Sequence, residues 1–199
     1  ALSLASSRGI PITPTVVGGT TFGGVIGAKA GATINGPLSG SGPLMITGDQ
    51  SGAGILAFRG SSDGSFLGAT GTFTGTVTLA RAANISAEAK NALGVGTITN
   101  DPTYPIEFGT ANITTQIQLD NNFTINPGRP FDFYVAGATG DLKLNGVISG
   151  SGNIVKGLAG NGGTLELNNA ASNCTGALNM LTGSVIPNAM IVSPDASPG

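Results

Sequence analysis

The segment Asn145-Gly146-Val147-Ile148-Ser149-Gly150-Ser151-Gly152 repeats Asn35-Gly36-Pro37-Leu38-Ser39-Gly40-Ser41-Gly42 at six of eight positions, 110 residues apart. The correspondence runs on downstream. Gly54-Ile55-Leu56-Ala57-Phe58 aligns with Gly163-Thr164-Leu165-Glu166-Leu167 at an offset of 109, and Gly68 with Gly176 at 108. An ordered series of this kind is a long internal repeat. It exceeds the roughly 20–50 residues of a single supersecondary unit, so each copy must hold several rungs or a small sheet. It divides the chain into 1–90, a first and divergent copy, and 91–199, a second, within one continuous solenoid.

Around this repeat the composition is extreme. Glycine supplies 34 of 199 residues, only 9% are charged and 5% aromatic, yet 40% are hydrophobic. That hydrophobicity excludes a disordered chain, and glycine without a three-residue period excludes collagen. Between the glycines lie runs of three to seven residues: Leu44 to Thr47, Ile55 to Phe58, Thr76 to Leu79, Ile113 to Leu119, Phe131 to Val135, Leu142 to Val147 and Leu165 to Leu167. Several alternate as half-buried strands do, for example Leu142 with Leu144 and Leu165 with Leu167. The best helical stretch, Asn84 to Leu93, reads as a short turn or loop at a sheet edge, stopped by Gly94.

Short glycine-bounded strands are too thin to bury a core singly, but stacked rungs bury a continuous one. With ~20–25 residues per rung at ~4.8 Å spacing, eight to ten rungs would make a column of roughly 40–50 Å. The expected fold is all-β, a parallel β-solenoid. The alternative is a pair of immunoglobulin-like β-sandwich modules. In it, Ala1 to Val17 would be donated to the next subunit's sheet edge, with Pro11 and Pro14 restricting the pairing.

The second copy resembles the autotransporter-associated β-strand repeat of bacterial passenger domains. The resemblance rests on Gly146 to Gly152, Lys156-Gly157, Gly163-Thr164-Leu165-Glu166-Leu167 and Asn173-Cys174-Thr175-Gly176, with Ala92-Leu93-Gly94-Val95-Gly96-Thr97 as the step after such a corner. It is good over about 92–186, weaker over 31–80 and faint over 1–30. Cys174 stands where the family usually has an aromatic, and Thr47-Gly48 stands where the second copy has Lys156-Gly157. The resemblance implies a right-handed parallel β-helix at the cell exterior with a scaffold or adhesive role. It carries no catalytic residue.

Charge and residue inventory narrow the function further. A net charge of -2 with scattered Lys and Arg gives no basic footprint for nucleic acid, and no stretch is long and apolar enough for a membrane span. Histidine and tryptophan are absent, which removes the commonest metal ligand and general base. The densest acids, Asp120, Asp132 and Asp141 near Arg129 and Lys143, read as solvated turn charges rather than a glycosidase pair. No catalytic, cofactor or metal site is expected, and the chain is not expected to be an enzyme. Cys174 has no internal disulfide partner and reads as a small buried or turn residue. Sequons at Asn84, Asn112, Asn122 and Asn173 occur at the frequency of chance. The threonine alternation in Thr70 to Leu79 reads as a strand with a solvated threonine face, against an ice- or mineral-facing ladder.

The two ends fall at similar phases of the repeat, and neither carries the charged cap a solenoid uses for solubility. The N-terminal Ala1-Leu2-Ser3-Leu4 fits a processed end or the start of a cut piece, both consistent with export. Uncovered, uncharged edges invite pairing, and heterologous head-to-tail pairing that does not close gives a filament. The functional expectation is an extracellular or cell-surface structural subunit whose partner is itself. The alternative is an adhesive or glycan-binding passenger or fibre module.

Overall fold

The computed structural model describes residues 2–4, 10–13, 15–17, 20–27, 31–48, 55–62, 72–81, 83–110, 116–135, 141–157, 163–181 and 184–186. Among them there is no helix, and the strands stack in parallel as a β-solenoid. A first sheet has eight strands: Leu2–Leu4, Ala32–Ile34, Leu56–Phe58, Asn84–Ala87, Ile106–Thr110, Phe131–Val135, Ile154–Lys156 and Leu178–Met180. A second sheet has six: Gly24–Gly27, Leu44–Thr47, Val77–Ala80, Ile98–Asn100, Phe123–Ile125 and Ile148–Gly150. A third has four: Gln116–Leu119, Asp141–Leu144, Thr164–Leu167 and Ser184–Ile186.

Parallel pairing throughout these sheets overturns the β-sandwich alternative, which needs antiparallel neighbours. Among the described residues the one antiparallel pair is Thr15–Val17 with Thr20–Phe22. The first sheet also crosses the boundary at 90/91, because Asn84–Ala87 pairs with Leu56–Phe58 on one side and Ile106–Thr110 on the other. Asn84 to Ala87 is therefore an inner strand, and only the residues after it turn. The expectation of an edge turn fails because Ile85 is needed inward, where it is buried among the core side chains.

From Asn84 onward the partners in the first sheet, Asn84 with Glu107, Ile106 with Phe131, and Ile154 with Leu178, set a turn of 23 to 25 residues, whereas the turns from Leu2 to Ala32 and from Leu56 to Ile85 are longer. Eight strands of one sheet make a column of about 34 Å at ~4.8 Å per step, below the 40–50 Å expected. Inside it, alternate residues of all three sheets meet. Phe108, Phe123, Phe131 and Phe133 pack against one another in the core, with Phe123 edge-on to Phe133 at 5.4 Å and to Phe108 at 5.6 Å.

The internal repeat is conformational as well as textual. Gly40 and Gly150 share a positive φ, 97° and 101°, which glycine adopts without steric cost. Gly42 N–H donates to Ile12 O at 3.0 Å, and Gly152 N–H to Ile125 O at 2.9 Å. Leu38 N–H donates to Ser62 Oγ and Ile148 N–H to Ser172 Oγ. Next, Thr74 N–H reaches Gly40 O and Thr175 N–H reaches Gly150 O, both at 2.9 Å. This equates Phe73-Thr74-Gly75 with Cys174-Thr175-Gly176. The aligned Gly68 lies outside the described residues, and Gly75 takes the place assigned to it. Phe73 is the aromatic of the motif, fully buried, where the second copy has Cys174.

The two copies do not lie on the same sides of the column. The strand before the repeated turn, Ala32–Ile34, belongs to the first sheet, whereas its counterpart Asp141–Leu144 belongs to the third. Likewise Leu44–Thr47 is in the second sheet and Ile154–Lys156 in the first. One copy maps onto the other by a climb along the column plus a rotation by one side. The three sides are close enough in geometry for one turn motif to serve on any of them.

Candidate functional site

Each outer face of the column carries different chemistry. Outside the third sheet stand Gln116, Asp141 and Thr164 in one row and Gln118, Lys143 and Glu166 in the next, set in register by the strand pairing. Gln116 Nε2 donates to Glu166 Oε1 at 3.2 Å, and Lys143 Nζ lies 3.6 Å from Glu166 Oε2. At the corner beyond, Asp120 accepts from Asn91 Nδ2 at 2.8 Å, Asn145 Nδ2 at 2.8 Å and Gln118 Nε2 at 3.0 Å. Asn168 Nδ2 continues the ladder to Asn145 Oδ1 at 3.1 Å. Partial burial works to raise the Asp120 pKa, but the three amide donors and the Lys90 charge outweigh it and hold the carboxyl below its ordinary value.

The outer face of the first sheet is polar and largely enclosed. Glu107 and Asp132 are direct partners on adjacent strands; on the next strand Val155 is in register with Asp132, and the buried Lys156 with the inward Phe133. Asp132 Oδ1 accepts from Gly157 N–H at 3.1 Å. Burial first, and then the Asp132 charge, raise the Glu107 pKa, against the opposing hydrogen bond from Asn84. Burial lowers the Lys156 pKa, and the Asp132 carboxylate opposes that shift. Tyr134 lies across Gly109, and its hydroxyl donates to Ile85 O at 2.9 Å, binding rungs 49 residues apart. Its phenol is pushed far above the usual range, chiefly by burial.

The acidic trio is thus not one group. Asp120 anchors a corner ladder, Asp132 is 1% exposed on the first sheet, and Asp141 sits on the third. For Asp132 the expectation of a solvated turn charge is wrong. Its register with Glu107, one turn away, could not be read from local spacing. Glu107 and Asp132 are register partners, but the Asp132 carboxylate is 1% exposed and closed to a polymeric substrate. Arg129 lies on an exposed turn, with its N–H donating to Pro102 O at 2.9 Å. Cys174 is buried, its thiol 3.6 Å from Gly152 O.

Outside the second sheet, short side chains face outward. Val25 and Met45 are partners, and Met45 is followed by Thr78, Thr99, Thr124 and Ser149 in one unbroken row. Of the threonine stretch Thr70 to Leu79, the described part, Thr72 to Leu79, does not form one strand. Gly75 bends it at a corner, so Thr74 faces one side and Val77–Ala80 enters the second sheet on the next. A Cβ at Gly75 would stand 2.1 Å from Gly42 O, so no other residue fits that corner. Of the sequons, Asn122 and Asn173 are exposed and Asn84 is engaged with Glu107. Asn112 lies outside the described residues.

Among the described residues no three His, Cys, Asp or Glu side chains gather where a metal ion could sit, and no helix is long and apolar enough to cross a membrane. Comparison with protein-family models, curated proteins and solved structures finds no match for the chain.

Proposed function

We propose that the chain is an extracellular or cell-surface structural subunit that stacks head to tail into a filament or surface layer. The supporting observation is the last rung of the first sheet. Leu178–Met180 pairs with Ile154–Lys156 on one side and has no described strand on the other. Met180 and Leu181 there are 57% and 59% exposed. An apolar edge strand with no described strand beside it is a template for another chain. Because the partner edge is a different surface, the contact propagates instead of closing. The resemblance of the second copy to the autotransporter-associated repeat supports reading such a column as lying outside the cell. Sedimentation of wild type and the double variant Met180→Lys, Leu181→Lys tests it. The wild type grows in size with concentration and the variant stays monomeric; a wild type that stays monomeric across the range refutes the assembly.

A second reading, an adhesive or glycan-binding module, draws on the third sheet. Its outer rows of Gln116, Gln118, Lys143 and Glu166 present amides and charges of both signs at ~4.8 Å steps, suited to sugar hydroxyls. A glycan array with Gln118→Ala as the paired variant tests it, and equal array signals for the two proteins refute it.

A further inference from the structure

The outer face of the second sheet is the most regular surface of the molecule. Thr78, Thr99, Thr124 and Ser149 stand on four successive strands as direct partners. Beside them runs a second row, Thr76, Thr97, Asn122 and Val147, fixed by the hydrogen bonds of Val77 N–H to Thr97 O, Ile98 N–H to Asn122 O and Phe123 N–H to Val147 O. The intervening Val77, Ile98, Phe123 and Ile148 point inward and are fully buried. Six of these eight outward positions are therefore hydroxyls. Their steps are ~4.8 Å between strands and about 6.7 Å along a strand.

The hydroxyls are held in place. Thr124 Oγ1 and Ser149 Oγ are 3.3 Å apart, Ser149 Oγ donates to Phe123 O at 3.2 Å, and Asn126 Nδ2 donates to Thr99 Oγ1 at 3.1 Å. β-branching limits the threonines to few rotamers. Their backbone is fixed by the stacked corners on either side.

Three features select the ligand. Neither row carries a charged residue, so an ion, a nucleic acid or an anionic membrane has nothing to hold. Neither row carries an aromatic, so a sugar ring has no stacking platform. The area is also small: four strands by about three residues is roughly 150–200 Å², far below the ~800 Å² per partner of a stable protein interface. What remains is a ligand that is itself a periodic, uncharged hydroxyl lattice. The two repeats lie close to the oxygen spacings of the prism faces of ice. Threonine supplies both a methyl group to order the water and a hydroxyl to bond it.

We infer that this face binds ice, through Thr76, Thr78, Thr97, Thr99, Thr124 and Ser149. The inference stands apart from head-to-tail assembly, since a monomer presents the whole face. The test is partition of the purified chain into slowly grown polycrystalline ice, together with inhibition of ice recrystallisation. Thr99→Tyr and Thr124→Tyr raise a bulky ring from the middle of the row, and Gln118→Tyr makes the same change on the third sheet. Circular dichroism confirms that each variant keeps its strands. Wild type and Gln118→Tyr are expected to enter the ice and stop recrystallisation, while both threonine variants fall to the level of a non-binding protein. Exclusion of the wild type from ice overturns the inference. So does equal partition of a folded Thr99→Tyr or Thr124→Tyr, or capture by crystalline cellulose or chitin but not by ice.

Discussion

Ser62 Oγ accepts the backbone N–H of Leu38 at 2.8 Å and donates in turn to Ala92 O at 2.8 Å, so one buried hydroxyl ties three successive rungs. Ser172, 110 residues later, accepts from Ile148 N–H at 3.0 Å in the same way. Replacing Ser62 by alanine leaves a buried N–H and a buried carbonyl unsatisfied, a loss of about 1–3 kcal/mol. For a chain of this size that is a fall in melting temperature of roughly 2–4 °C per kcal/mol. An unchanged thermal midpoint for Ser62→Ala would show that the hydroxyl is not a strut.

Gly96 is the next strut in the corner column. A Cβ there would stand 2.0 Å from Gly75 O, a backbone atom that cannot swing aside. Gly96→Ala should destabilise by about 1–3 kcal/mol or more, the range of overpacked sites. Gly31→Ala is the control, because its nearest contact is Ile55 O at 3.6 Å, and it should change stability by less than about 0.5 kcal/mol. Urea denaturation midpoints separate the two; equal midpoints would refute corner packing.

Glu107 faces Asp132 in a partly buried setting, and its pKa is raised in the fold. A carboxyl raised on folding favours the protonated state. Its stability is intact below the unfolded glutamate value, about pH 4, and is lost as pH rises through the folded value. Glu107→Gln keeps an amide oxygen to accept from Asn84 and removes the charge. It should therefore melt higher than wild type at pH 7, with the gap closing toward pH 4. A gap of constant size across that range would mean that the charge is not the cause.

Phe123 sits at the centre of the aromatic core and touches Phe108, Phe131 and Phe133 edge-on. Phe123→Ala should cost about 3–5 kcal/mol, the usual loss for a buried aromatic. Its equivalent in the first copy is Ile10, which pairs with Leu38 as Phe123 pairs with Ile148 and donates its N–H to Pro37 O as Phe123 does to Val147 O. Ile10 is only partly buried and lies near one end of the column, so Ile10→Ala should cost less. Equilibrium unfolding of both variants checks the order.

The strands and the repeat were legible because glycine punctuation and two-residue alternation are local signals. Leu44–Thr47 and Phe131–Val135 have the ends read from sequence. The match of Phe73 to Cys174 was hidden, because the first copy carries extra residues between Ser62 and Phe73 that the second lacks between Ser172 and Cys174. Only the corner hydrogen bonds reveal the equivalence. The burial of Asp132 and the rotation of one copy by a side were equally hidden, since both depend on which residue lies one full turn away. The threonine rows combine the two cases. Thr76 and Thr78 stood out in sequence, but Thr97, Thr99 and Thr124 join them only through the stacking.

The central claim is head-to-tail assembly, and negative-stain electron microscopy of the purified chain over a concentration series addresses it most directly. The account predicts unbranched filaments of constant width that lengthen with concentration, with an axial repeat set by the height of one stacked column. Discrete particles of one size at every concentration would contradict it.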